Sequence, residues 1–222
     1  ATLQDYRNER LRKLETLREL GVDPYPARSE RTHGCGEVLA HYDELADREV
    51  VVAGRIISIR SFGKLAFIKL RDQSGEVQLY LQRDDVADLD AGRGLLGMKQ
   101  LKLLDTGDFV EARGVMTTTQ TGEKSVGVRE LRLLTKSLRP MPERLENKEE
   151  RFRRRYVDMN VNPEVRQRFI RRSKFWQATR DYLNQHGFTE VNVPVLEHTT
   201  GGADANPFVT HMDALDDQQF YL

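Results

Sequence analysis

Leu65-Ala66-Phe67-Ile68-Lys69-Leu70-Arg71 and, after the turn-forming Asp72-Gln73-Ser74-Gly75, Glu76-Val77-Gln78-Leu79-Tyr80-Leu81-Gln82 alternate apolar and polar side chains. A period of two marks strands with one buried face. Ala66, Ile68 and Leu70 share one face of the first run, and Val77, Leu79 and Leu81 share the matching face of the second. These six are expected to line a core. The other face carries Phe67, Lys69 and Arg71 beside Gln78, Tyr80 and Gln82. A ring among cations and amides suits an unpaired nucleic-acid strand. The ring stacks a base for about 1–3 kcal/mol, amides read its edge, and cations hold phosphates. Equally, Phe67 could pack under a neighbouring helix and leave Lys69 merely solvated.

Outward from this hairpin, five runs read as strands, at about 49–60, 65–71, 75–82, 108–118 and 125–134, with turns at Gly63, Ser74-Gly75 and Thr121-Gly122. A leucine-rich segment, Leu95 to Leu104, reads as a helix between the third and fourth strands. That layout is an OB barrel, a fold that binds oligonucleotides on its second and third strands. Before it, Leu11, Leu14 and Leu17 recur at helical spacing until Gly21, Pro24 and Pro26, and a short helix is expected from Val38 to Ala46. After it, Pro140 and Pro142 form a stiff connector. A charged helix, Glu143 to Arg155, should follow, then a longer one capped by Asn162 with Pro163 in first position. Val165, Phe169, Trp176 and Leu183 give the longer helix one apolar stripe, and Gly187 stops it. Glu190 to Leu196 reads as a strand, and Gln219–Leu222 as a possible one. The expected fold class is α+β: a helical extension at 1–48, the OB barrel at 49–138, a hinge at 139–162, and at 163–222 the opening of a further domain.

A chain of 222 residues with 38% hydrophobic and 32% charged residues is of globular composition. No apolar run is long enough to cross a bilayer, and the N-terminus has no signal-peptide core. Cys35, the only cysteine, has no internal disulfide partner, and with His33 alone beside it no metal site is expected. A reducing cytoplasm is the simplest setting. Net charge is zero, but Arg139 to Arg180 holds thirteen Lys/Arg against six Asp/Glu. This local excess suits a phosphate backbone as well as a solvated helix face.

Gly54-Arg55, Arg60, Gly63-Lys64, Phe67, Leu70, Asp72, Gly75 and Gln78 together resemble the anticodon-binding domain of the class IIb aminoacyl-tRNA synthetases, which charge lysine, aspartate and asparagine. The resemblance implies that Phe67 stacks on the central anticodon uridine while Arg60 and Gln78 hydrogen-bond around it. Glu130 falls where lysyl enzymes contact another anticodon base. His186-Gly187-Phe188-Thr189-Glu190-Val191 through Pro194 is similar to class II motif 1, whose helix and strand form a homodimer interface. Trp176, Gly187 and Pro194 would belong to that interface. Glu149 to Asp158 resembles the subgroup's hinge helix, which lies near the tRNA, so Arg153 and Arg154 become candidate backbone contacts.

All three relatives read a central uridine, so the barrel does not choose the amino acid. Leu17-Arg18-Glu19-Leu20-Gly21 with Pro24-Tyr25-Pro26 is similar to the lysyl extension. Gly201-Gly202-Ala203 with Asn206 to His211 and Ala214-Leu215-Asp216 resembles the lysyl signature after motif 1, in which Gly202 would approach substrate lysine. Thr200 and Asn206 depart from the usual proline and arginine of that loop. The resemblance implies a lysine–tRNA ligase with tRNA(Lys) as partner and no DNA or membrane partner. ATP and Mg2+ would serve the full-length enzyme. The arginine-bearing motif 2 and glycine-rich motif 3 do not occur before Leu222, so no catalytic residue is assigned and these residues alone are expected to form no lysyl-adenylate. The alternatives are an aspartyl or asparaginyl relative, or a non-catalytic OB-type RNA-binding protein.

Overall fold

A computed structural model describes residues 2–200, 206–215 and 218–222. The chain divides into two compact units, one ending at Leu145 and the other spanning Glu146–Leu222.

In the first unit, α1 (Leu3–Glu19) begins at a capping box. The Thr2 hydroxyl accepts from the Asp5 amide and the Asp5 carboxylate accepts from the Thr2 amide. Leu14 and Leu17 are buried as their spacing required. The short helix lies earlier than expected, α2 at Cys35–Ala40 instead of 38–46. The Asp72 carboxylate sets its start, accepting from the Cys35 amide and from Ser74 and Gly75 in the next hairpin turn.

The five expected strands are present as β1 (Glu49–Phe62), β2 (Leu65–Arg71), β3 (Glu76–Gln82), β4 (Phe109–Thr118) and β5 (Lys124–Thr135). They form a barrel in the order β1-β2-β3-β5-β4, closed by β1–β4 pairing. A short parallel contact joins Gln78–Tyr80 of β3 to Ser125–Gly127 of β5. Ala66, Ile68, Leu70, Val77, Leu79 and Leu81 all point inward at 1% exposure or less. Leu95 to Leu104 is not an α-helix; only a 3-10 turn, Met98–Leu103, is helical. Its leucine backbone is used in extended pairing, with Leu95 bonded to Asp90 and the Leu96 amide donating to Leu131. Leu95, Leu96, Leu101, Leu103 and Leu104 are nevertheless buried.

Three single-residue slips interrupt the barrel's register, and two of them shape its outer face. In β1 the register slips between Ile56 and Ser58. The inward set changes from Val50, Val52 and Ile56 to Ile59, which pairs with Ile68 and packs against the core. In β5 the register slips beside Arg113/Gly114, so Val126 and Val128 point inward before the bulge and Leu131 and Leu133 after it. Arg60, Phe62 and Glu130 are thereby turned outward.

At the end of β5, Lys136 is fully buried. Its ammonium donates to Asp105 at 2.6 Å and Asp108 at 2.7 Å. Lys13 of α1 bonds the other Asp105 oxygen at 2.7 Å, and Arg10 donates to the Thr106 and Ser137 carbonyls. Burial alone would raise the Asp105 pKa, but hydrogen bonds from Lys13 and Lys136 bring it below the ordinary carboxylate value. The cluster fastens α1 to the barrel.

In the second unit the charged helix is shorter than expected and broken at Arg154, giving α3 (Lys148–Arg153) and α4 (Arg155–Val161). The break curls the chain around the Asp158 carboxylate, which accepts from Arg151, Arg155 and Asn162. Asn162 therefore does not cap the next helix with its side chain. That helix, α5 (Pro163–Gln185), does start at Pro163 and is followed by Gly187 at φ +83°. Of the apolar stripe, Val165 is buried while Phe169, Trp176 and Leu183 are exposed. The strand expected at 190–196 does not form among the described residues. Val191, Val193 and Val195 alternate as a strand would, yet a strand exists only with a partner for its backbone bonds, and these side chains are open to solvent. The C-terminal strand is present: β6 (Val209–Met212) pairs with β7 (Gln218–Tyr221).

Candidate nucleic-acid interface

Strand register places the candidate residues in rows across the outer face of the barrel. Arg60 pairs with Phe67, Phe67 with Tyr80, and Tyr80 with Gly127. The next row is Ser58, Lys69, Gln78 and Ser125. Phe67 is half-buried, not sealed in the core. Its ring lies 5.5 Å from Tyr80 and 6.3 Å from Phe62, which hold it on two sides. The Arg60 guanidinium is 6.0 Å from the Phe67 centroid, exposed and without an ion-pair partner among the described residues. An anchored ring with a free cation beside it can stack a planar base and donate to its carbonyls.

Gln78 differs from expectation in exposure. It is 7% exposed because the parallel β3–β5 contact brings Ser125 against it. Its amide donates to Ser125 Oγ at 3.1 Å, and that hydroxyl donates to the Glu123 carbonyl. Since the hydroxyl proton is committed, Ser125 accepts from Gln78, which fixes the amide orientation. Gln78 Oε1 is left as an acceptor without a protein partner among the described residues.

Lys69 forms an ion pair with Glu76 at 3.0 Å. Glu130 stands three residues along β5 from Gly127, about 10 Å from the stacking row. Both its oxygens are engaged, one by Arg93 at 2.6 Å and the other by Arg113 at 3.4 Å. Sequence reasoning missed both arginines and Phe62. Phe62 and Arg113 stand beside bulges that parity alone does not reveal, and Arg93 reaches Glu130 from a loop.

In the second unit, Arg153 is exposed and paired with Glu149, whereas Arg154 has no carboxylate partner among the described residues. Nearby, Lys148, Arg151, Phe152, Arg155, Arg168 and Phe169 surround a depression of about 450 Å3. The Arg155 guanidinium sits over the Phe152 ring at 4.8 Å. Trp176 and Pro194 are exposed, so this chain alone leaves the expected interface residues uncovered. Gly202 lies outside the described residues. Cys35 is buried, and burial pushes its thiol up to about 12, so it stays protonated. Among the described residues no three His, Cys, Asp or Glu side chains gather as metal ligands, and no helix is long and apolar enough to cross a membrane.

Comparison with known proteins agrees with this division. Residues 50–134 match the OB-fold nucleic acid binding domain, and residues 147–222 match the tRNA synthetases class II (D, K and N). A lysine–tRNA ligase of Roseiflexus castenholzii (strain DSM 13941 / HLO8) is 47% identical over 99% of this chain and 45% of its own length. One from Trichormus variabilis (strain ATCC 29413 / PCC 7937) is 42% identical over 99% of this chain and 40% of its own. Another, from Moorella thermoacetica (strain ATCC 39073 / JCM 9320), is 45% identical over 93% and 42%. The chain spans under half the length of these relatives.

Proposed function

From the premise that the chain belongs to the class II tRNA synthetases for aspartate, lysine and asparagine, we propose that its barrel binds the anticodon of tRNA(Lys) for a lysine–tRNA ligase. The observation that carries this reading is the row Arg60–Phe67–Tyr80 with Gln78 beside it. Phe67 receives the central base. Gln78 Oε1 accepts from the N3–H of uridine, and Arg60 donates to a uridine carbonyl. Cytidine presents a bare N3 and an amino group at the same edge, so it meets an acceptor with an acceptor. Glu130, steadied by two arginines, contacts a second anticodon base. Similarity to the lysyl relatives over 99% of the chain favours lysine over the other two amino acids.

The rest of the enzyme's work is assigned by the same premise. Trp176, Gly187 and Pro194 belong to a homodimer interface, Gly202 approaches lysine, and the setting is cytoplasmic. ATP and Mg2+ serve the lysine-activating reaction of the full-length ligase. The described residues offer no cluster of three His, Cys, Asp or Glu side chains to hold Mg2+.

Replacing the central uridine of a tRNA(Lys) anticodon stem-loop by cytidine is expected to weaken binding to this chain about 5- to 100-fold, measured by fluorescence anisotropy. Equal affinity would overturn the proposal. Arg153 and Arg154 act on the backbone instead. Changing both to alanine should lower affinity for the whole tRNA and flatten its dependence on salt, with the uridine preference retained. A change in that preference would exclude them as phosphate contacts.

A further inference from the structure

The outer face holds one large ring that anticodon reading by Phe67 leaves unused. Phe62 ends β1 and is 63% exposed. Beyond the bulge it shares the outward side with Arg60 and pairs with Leu65 at the hairpin tip. An exposed phenylalanine is unremarkable by itself. This one meets Phe67 edge to face, with centroids 6.3 Å apart and planes inclined at 65°. Gly63, at φ +60°, makes the tight turn that keeps the ring at the tip, with the exposed Lys64 next to it.

We propose that Phe62 is a second stacking platform, which takes a nucleotide directly adjacent to the one on Phe67. The proposal rests on the anticodon reading and deepens it. Planes 65° apart cannot both lie against one base. Two rings so arranged serve two bases, turned away from each other. A helical strand keeps its neighbouring bases parallel, so the pair of platforms selects a loop whose consecutive bases have been splayed. Tyr80 does not extend the series. It flanks Phe67 on the β3 side, and its hydroxyl is tied to Gln82. Arg60 and Lys64, exposed on either side of Phe62, supply positive charge for the phosphates of the splayed step.

The test crosses Phe62→Leu with stem-loops that lack the base at one position. Phe62→Leu should lower affinity for the intact tRNA(Lys) anticodon stem-loop about 5- to 100-fold. The loss should vanish for the loop that is abasic at one neighbour of the central position and persist for the loop abasic at the central position itself. Phe62→Trp should keep parental affinity. Unchanged binding by Phe62→Leu, or a loss that persists in every abasic loop, would overturn the second platform. A Phe67→Ala control separates the two readings. Loss at Phe67 without loss at Phe62 removes only the second platform, whereas no loss at Phe67 removes the anticodon reading beneath it.

Discussion

Replacing Lys136 by methionine is expected to destabilise the barrel unit by about 3–5 kcal/mol, the usual cost of stranding a buried charge. The ammonium has no solvent contact and is the direct partner of both Asp105 and Asp108. Asp108 is itself fully buried and also accepts from the Asp105 and Ser137 amides. Without Lys136 the two carboxylates keep their burial and lose their nearest cation. Lys13 compensates in part, at Asp105 only. Urea denaturation followed by a barrel-specific probe would measure the effect. Its pH dependence identifies the cause. In the parent protein Asp105 is held below its ordinary pKa, so its contribution is present at neutral pH and fades as the pH falls below about 4. In the variant, burial without Lys136 raises that pKa, and protonation relieves the folded state as the pH drops. The gap between parent and variant should therefore narrow from pH 7 towards pH 4. A gap of constant size would mean that lost packing, not stranded charge, sets the cost.

Phe67→Ala should weaken binding of the tRNA(Lys) anticodon stem-loop by about 1–3 kcal/mol, the worth of one stacked base. Removing the ring takes away the platform and also the surface against which Arg60 rests. Discrimination between central uridine and cytidine should shrink as well, because Gln78 and Arg60 can read an edge only when the base is held in plane. The ring is half-buried and lies outside the hydrophobic core cluster, so urea stability should change far less than for a core truncation such as Leu79→Ala, about 2–5 kcal/mol. Affinity equal to the parent's would remove Phe67 from the site.

The barrel was legible because alternation over Leu65–Leu81 and the turn residues between the runs fix both strand and face. The segment Leu95 to Leu104 was misread because leucines mark burial without marking conformation. Gly92, Gly94 and Gly97 sit around it, and its backbone pairs with Asp90 and Leu131. The strand at 190–196 failed for a different reason. Its pattern is present, but pairing is a property of two segments and a single run cannot show it. Within the site, Phe67 and Tyr80 followed from parity alone, whereas the burial of Gln78 did not, since the parallel β3–β5 contact joins runs far apart in sequence. Phe62, Arg93 and Arg113 escaped notice because each matters through a neighbour reached across a bulge or a loop.

The slip at Ile57 also divides one continuous strand into two regimes of selection. Up to Ile56, β1 contributes chiefly to the stability of the barrel; beyond the slip Ile59 still packs against the core, while Arg60 and Phe62 decide what the barrel touches. A library randomised at Arg60 and Phe62 would thus explore new RNA preferences while the folding of Val50 to Ile56 stays as it is. A one-residue deletion at position 57 would remove the bulge and straighten β1, leaving Arg60 and Phe62 on the outward face in an unbroken ladder with β2.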